Sequence, residues 1–585
     1  MEDEIPTYLV SVAVAPYVLN ESTHKNIPVV LASEAKDSLN MALSFVHLPN
    51  AIDAYLKGYG PHSFNRIGFN AVPFNGGAME HATNIAYPQG TLDGKTTSET
   101  LFAHELAHHW WGNTVTCRTA EDMWINEGWA RYSESLFLEE TYGNETYRDA
   151  ISDLHKSVLH SAHLRDRDTL PISGIGHTNT YGAHVYDKGA VVVHTLRGYM
   201  GSDAFFEACR EFMKEFKFQD VSSDDLKTHF QKYTPKDLDA FFDDWVYQKG
   251  FPHFDILEWT RSAKNDSFLV KVRIRQQLKF ADNFYKNVPM ELFVIGEDRQ
   301  SFTTELSLSG PDDLYQFMSA FDPKFMALDP NEKISDAVTD RMKYLSRKDT
   351  FSMGDAMMDI IVRELKDSAL VHVAHHWISP DQWYRNETFP VMSKERYWSV
   401  DGQWAETDRM DAIIEYNGRR SGANYAIGYL DVQLIGITED SLRLFYRPHP
   451  TAYWEEYPDY SLETGSKFDR KGIIKIRNLQ KGEYTLAMAD YGLLSSPDLV
   501  EKQLTSNLKI YPVPASEKLQ LECPDAAGSI LEILNSEGRV IYSDTIVTTD
   551  WKSELDISNW SNGVYYAGII TKGKAYQPKA FVVRR

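Results

Sequence analysis

His104, Glu105 and His108 stand in the run Phe102-Ala-His-Glu-Leu-Ala-His108, a spacing with a direct chemical reading. A helix of 3.6 residues per turn stacks His104 and His108 one turn apart on one face, so both imidazoles can reach one metal. Glu105 lies about 100° further round, facing a water held at that metal. Two histidines leave such a site one ligand short. Eighteen residues separate His108 from Glu127, which can supply the missing carboxylate. Three protein ligands and a water make an open, catalytic zinc site rather than a closed structural one. The chemistry implied is peptide hydrolysis by an activated water, with one Zn2+ per chain.

The surrounding elements must deliver these groups to one point. A helical pattern begins around Trp124, carries Glu127 and runs to a stop at Gly143; packed antiparallel to the first helix, it would bring its carboxylate to the same metal. Upstream, the stretch from Asn75 to His81 places Glu80 after the glycine pair Gly76-Gly77, at a strand or strand end. Downstream, Val185-Tyr186-Asp-Lys-Gly189 offers a phenol just before a helix.

These residues resemble the gluzincin aminopeptidases, the family of aminopeptidase N and the leukotriene hydrolase-like enzymes. Gly77-Ala78-Met79-Glu80 is similar to the family's GxMEN exopeptidase motif, His104 to His108 with Glu127 to its zinc motif, and Tyr186-Asp-Lys-Gly to its catalytic tyrosine. Pro6-Thr-Tyr-Leu9 and Trp245 to Pro252 are further echoes, so the likeness spans roughly residues 6 to 330. It implies a thermolysin-like catalytic domain in which His104, His108 and Glu127 hold zinc. Glu105 and Tyr186 are then catalytic, and Gly77, Ala78, Met79 and Glu80 contact the substrate, with Glu80 holding its α-ammonium. The chain departs from the pattern at His81, where the family carries Asn, and at His109, where Gln is common.

At 585 residues the chain exceeds what one core supports, and about three to five domains are expected. Sixty Lys and Arg against 83 Asp and Glu give a net charge of -23. That disfavours nucleic-acid or anionic-membrane partners, and no apolar run is long enough for a membrane span. Cys117, Cys209 and Cys523 are too scattered for a disulfide framework or a cysteine metal cluster. The N-terminus opens Met1-Glu-Asp-Glu, lacking the basic residues of a signal peptide. The apolar run Tyr8 to Ala15 reads as a β-strand and, by the resemblance, as the end of an otherwise missing N-terminal β domain.

The expected fold class is therefore multidomain α+β. A remnant of an N-terminal β domain (1–23) precedes a thermolysin-like catalytic domain (24–253), whose helices include Ala204 to Phe216 and one begun by Ser222. Past Gly250 the pattern becomes period two, with Val270, Val272 and Ile274 alternating with charged residues, so a β-sandwich is expected over 254–335. A β-rich domain follows over 336–504, with Tyr429 to Leu434, Gly472 to Arg477 and Tyr484 to Met488 as candidate strands. Within it, His372, His375 and His376 look like a second metal cluster. A strand dissolves it: His372 and His376 share a face but stand roughly 13 Å apart, and His375 points the other way.

Residues 505–585 read as a separate small β-sandwich that resembles the C-terminal sorting domain of proteins exported by the bacterial type IX secretion system. An immunoglobulin-like binding module has the same pattern. The resemblance implies a secreted or cell-surface protein that uses the type IX machinery and enters the periplasm through a leader this chain does not show. The expected activity is zinc-dependent removal of N-terminal residues from peptides. Two alternatives stay open: an endopeptidase of the same gluzincin type, and a surface binding protein with an impaired peptidase domain.

Overall fold

The computed structural model describes residues 5–73, 76–381, 390–419, 429–435, 439–465, 469–488, 508–524, 527, 529–535, 539–548, 550–571, 574–575 and 579–584. Asn75 and the expected boundary at 504/505 lie outside them, as does the side chain of Cys523. Two compact units emerge, one of residues 1–380 with 392–487 and one of 381–391 with 488–585.

The first unit begins with a mixed sheet. Strands β1 (Tyr17–His24) and β2 (Ile27–Glu34) form an antiparallel hairpin, and β3 (Ile67–Val72) and β4 (Ile85–Pro88) join β2 in parallel order. The boundary expected at 23/24 thus falls at the tip of a hairpin, and β1 belongs to the sheet that precedes the motif helix. The run Tyr8 to Ala15 is a correction too. Thr7–Leu9 is a short 3-10 turn and no strand follows it. Its alternation is real, but Val12 and Val14 are 85% and 90% exposed, and no neighbouring strand pairs with them.

Helices follow at Glu99–Ala107, Glu127–Tyr142, Asn144–Arg165, Gly189–Met200, Ser202–Glu215 and Ser223–Phe230. The motif helix Glu99–Ala107 is apolar nearly all round, with Phe102, Ala103, Leu106 and Ala107 fully buried, which places it at the centre of the core. The next helix starts at Glu127 itself, because Ala120–Ile125 winds as a 3-10 segment, and it stops at Gly143 with φ 95°. Ser222 caps the helix Ser223–Phe230 through a reciprocal bond with Asp225. Among the described residues no helix is long and apolar enough to cross a membrane.

Beyond Gly250 the chain is β-structure. Phe251–Lys264, Ser267–Lys279 and Asp312–Ser319 make one three-stranded sheet, and Val288–Gly296, Ser301–Leu308 and Pro323–Leu328 another. Val270, Val272 and Ile274 point into the core, as their alternation requires. Residues 338–488 add a seven-stranded and a five-stranded sheet, including Lys471–Ile476 and Gly482–Met488. The candidate strand at Tyr429 to Leu434 is instead a helical turn, Tyr429–Val432. The turn aims Asp431 inward, where it accepts from Arg396 at 2.6 and 3.1 Å and from the Asn417 backbone at 2.7 Å. In the second unit, strands from Lys509–Tyr511 to Lys579–Val583 close over Leu519, Leu531, Ile533 and Phe581.

Candidate active site

Three aromatic and glycine contacts bring the site together. Trp111, just past the motif helix, stacks on Trp129 with centroids 3.7 Å apart, which fixes the end of that helix against the start of the helix carrying Glu127. Such a pair contributes about 0.5–1.5 kcal/mol beyond its burial. The Tyr55 hydroxyl donates to the Ala103 and Ser133 carbonyls, at 2.9 and 3.0 Å, and ties the same two helices. Tyr186 lies in a wide helical turn, His184–Lys188, that runs into Gly189–Met200. There Gly128 and Gly189 meet backbone to backbone: a Cβ on either would lie 3.0 Å from the other's Cα. This close approach needs glycine at both positions and sets Tyr186 beside Glu127.

The donor atoms then converge. Nε2 of His104 and Nε2 of His108 are 3.1 Å apart, and each is 3.3 Å from the same Glu127 carboxylate oxygen. One atom from each of the three residues falls within 4.8 Å of the others. Both histidines donate their other ring nitrogen: His104 Nδ1 to Glu134 at 3.0 Å and His108 Nδ1 to the Trp111 carbonyl at 2.9 Å. That tautomer leaves two Nε2 lone pairs facing one another and a carboxylate, a repulsive arrangement that a cation resolves. Two histidines and a glutamate, oriented from behind, fit a zinc ion with an open fourth position.

Glu80, Glu105 and His108 form a second group of the same span. Burial pushes the Glu105 carboxyl up to about 7, against the opposing pull of His104 and His108. Glu127 goes the other way: although burial opposes it, His108 and His104 hold its carboxyl well below the usual range. Burial, then Glu127, keeps the half-buried Tyr186 phenol protonated far beyond the ordinary tyrosine range. The rim of the cleft is the segment 76–80. Gly77 has φ 86°, and a Cβ there would meet nothing within 4 Å, so its requirement is conformational and its backbone faces open space. Met79 pairs with Ala86 of β4 through two 3.0 Å hydrogen bonds, and Asn113 donates to the Glu80 carbonyl at 2.8 Å.

The cleft has a volume of about 930 Å³, and Gly77, Ala78, Met79, Glu80, His104, Glu105, His108, Glu127 and Tyr186 all line it. Sequence reasoning missed the layer behind them. Glu134, two turns after Glu127, orients His104 and is itself paired with Arg131, which also reaches Asp187 at 3.1 Å. Tyr181 and the free thiol Cys117 also line the cleft with no motif to mark them, and so does Tyr8, from the Pro6–Leu9 echo, which assigns it no role. His109 turns away from the donors and meets His62 Nε2 at 2.9 Å.

The strand cluster resolves as expected. Ala369–His376 is a strand. His372 pairs with Asp340, and His376 meets His253 at 2.8 Å and Ser399 at 2.9 Å. His375 packs between Trp377 and Trp398, with neither ring nitrogen bonded.

A buried helix bearing two histidines, completed by a glutamate from the next helix, gathers a donor set that fits a metal ion. Residues 54–245 match the Peptidase family M1 domain, and residues 509–584 match a secretion system C-terminal sorting domain; the chain carries both. It is similar to aminopeptidase Ey of Gallus gallus, 30% identical over 223 residues, which are 34% of this chain and 23% of that protein. Endoplasmic reticulum aminopeptidase 2 of Bos taurus is 34% identical over 176 residues, 27% of this chain and 18% of the relative. Probable aminopeptidase 1 of Sulfurisphaera tokodaii is 24% identical over 317 residues, 50% of this chain and 39% of the relative. The chain thus spans between 18% and 39% of the length of these relatives.

Proposed function

We propose that this chain is a zinc-dependent aminopeptidase with a thermolysin-like catalytic domain. The observation that carries the reading is the gathering of His104, His108 and Glu127 donors within 4.8 Å, with Glu80 and Glu105 grouped around the same His108. Zinc held by those three residues supplies a Lewis acid that acidifies water and polarises the scissile carbonyl. Glu105 takes the proton of the attacking water and passes it to the leaving amine, the role its place beside His104 and His108 in the cleft allows. Tyr186 stays protonated and donates to the oxyanion that develops on the carbonyl. The Glu80 carboxylate accepts from the substrate's α-ammonium and anchors it one residue from the reacting bond. Backbone groups of Gly77 and Ala78 align the peptide along the rim, which Met79, with its own N–H and C=O bonded to Ala86, fixes to β4.

Glu80 separates this reading from an endopeptidase. We expect wild-type protein to hydrolyse free-amine aminoacyl substrates and to spare N-acetylated ones. Glu80→Ala should raise KM, lower kcat and narrow that difference. Equal cleavage of both substrates by wild type would overturn the aminopeptidase assignment, and an unchanged preference in Glu80→Ala would place the anchor elsewhere.

The sorting domain supports a second part of the reading, delivery to the cell surface or medium by the type IX machinery. Deleting residues 505–585 should leave peptidase activity in purified protein and stop export in a host with that machinery. Normal export of the shortened chain would remove the sorting role.

A further inference from the structure

A second cavity, of about 510 Å³, lies apart from the cleft, between the helix Asn144–Arg165 and the strands that follow Gly250. Its volume is in the range that takes a small organic molecule. Phe254, Trp259 and Met290 give it apolar walls, while eight carboxylates line it. Five of these have a basic partner: Asp255 has Arg275 at 2.7 Å, Glu258 has Arg273 at 3.5 Å, Asp401 has Lys481 at 3.3 Å, Asp340 has His372 and Glu483 has Arg447. The remaining three do not. Asp329 accepts only from the backbone of Lys333 and Ile334, and Asp336 only from that of Phe254 and Val338. Among the described residues, neither they nor Glu332 form an ion pair. His155 also lines the cavity; it is 7% exposed, and its Nε2 has no hydrogen-bond partner.

Asp336 is buried and Asp329 and Glu332 are half-buried, and carboxylates so placed without an ion-pair partner favour the arrival of something positive. Burial, reinforced by neighbouring acids, pushes Asp329 up to about 7 and Glu332 up to about 8, and for Glu332 the opposing pull of Arg341 and Arg148 does not offset it. A single metal ion does not suit the geometry. Metal-sized gatherings of three ligand atoms occur among the described residues only around His108, so the acids here are too spread for one ion. A longer cation can reach several of them and lay its carbons on the apolar walls.

We propose that this cavity binds an alkylammonium ligand whose ammonium groups meet Asp329, Glu332 and Asp336 and whose methylene body lies against Phe254, Trp259 and Met290. Burial also keeps His155 neutral, so its Nε2 can accept from an ammonium. The ligand is either a free polyamine or the basic side chain of a peptide, which share this chemistry.

Calorimetric titration of the full chain tests the proposal, done in a Glu80→Ala background so that the cleft's own carboxylate is out of play. Spermidine should bind saturably at one site per chain. At a pH above about 8, where the Glu332 carboxyl ionises, adding Glu332→Gln should weaken it about tenfold or more. Tighter binding of spermidine than of Nα-acetyl-lysine amide assigns a free polyamine, and the reverse assigns a basic side chain. Hydrogen exchange on the same protein should show spermidine protecting residues 325–340. Absence of saturable binding, equal affinity in the Glu332→Gln protein, displacement by an equal concentration of calcium, or protection confined to the cleft would each overturn the proposal.

Discussion

His104 with His108 and His372 with His376 have the same four-residue spacing, yet they end in opposite arrangements. On the first pair's helix the spacing closes one turn, and the two Nε2 atoms stand 3.1 Å apart against a shared carboxylate. On the second pair's strand the same spacing separates the rings, and each takes a private partner: Asp340 for His372, His253 and Ser399 for His376. What differs is the period of the backbone beneath them. A metal centre therefore lies in the pairing of spacing with the right secondary structure, not in histidine count.

The contrast breaks most sharply at the ligands. His108→Ala or Glu127→Ala should drop bound zinc from one per chain to near zero and hydrolysis to background, because an open site has no spare ligand. His372→Ala and His376→Ala should keep full zinc. Elemental analysis of the four proteins decides, and full occupancy in either ligand variant would defeat the assignment.

A smaller effect sharpens it. Each cluster has a carboxylate behind a histidine, Glu134 behind His104 and Asp340 behind His372. Glu134→Gln should weaken zinc about 10- to 100-fold, the usual scale for the group that orients a metal-bound imidazole. Asp340→Asn should leave zinc affinity unchanged. Competition with a chelator measures both, and equal losses would show that Glu134 acts only through the stability of the fold.

The smallest effect belongs to His375, fully buried with both ring nitrogens unbonded. Replacing it with Leu removes polar atoms that have no partner, so stability should rise or change by less than about 1 kcal/mol. A large loss on denaturant titration would mean that the imidazole makes an essential contact.

These outcomes also mark what the sequence could express. The groups collected in the cleft were legible because each sits in a short motif, and local spacing on a helix sets direction. Glu134 was not, although it stands only seven residues from Glu127, because nothing in a helical pattern says which polar residue meets a histidine from another helix. Gly128 and Gly189 lie inside the same motifs, yet their contact is tertiary and leaves no trace in either segment. The two misread stretches share one cause. At Tyr8 to Ala15 alternation predicts a strand that has no strand to pair with. At Tyr429 to Leu434 the alternation of Leu430, Val432 and Leu434 with Asp431 and Gln433 suits a strand, but the demand of the buried Arg396 for a carboxylate wins a helical turn.

The Gly128–Gly189 contact also bears on how the cleft can move. Two backbones in van der Waals contact leave no side chain to act as a cushion, so the segments bearing Glu127 and Tyr186 travel as one body. The opposite rim is held by hydrogen bonds instead, the bridge between Met79 and Ala86 and the Asn113 bond to the Glu80 carbonyl. If the cleft adjusts to a ligand, that adjustment is expected on the 76–80 side, with the wall formed by Glu127 and Tyr186 held fixed by the glycine contact.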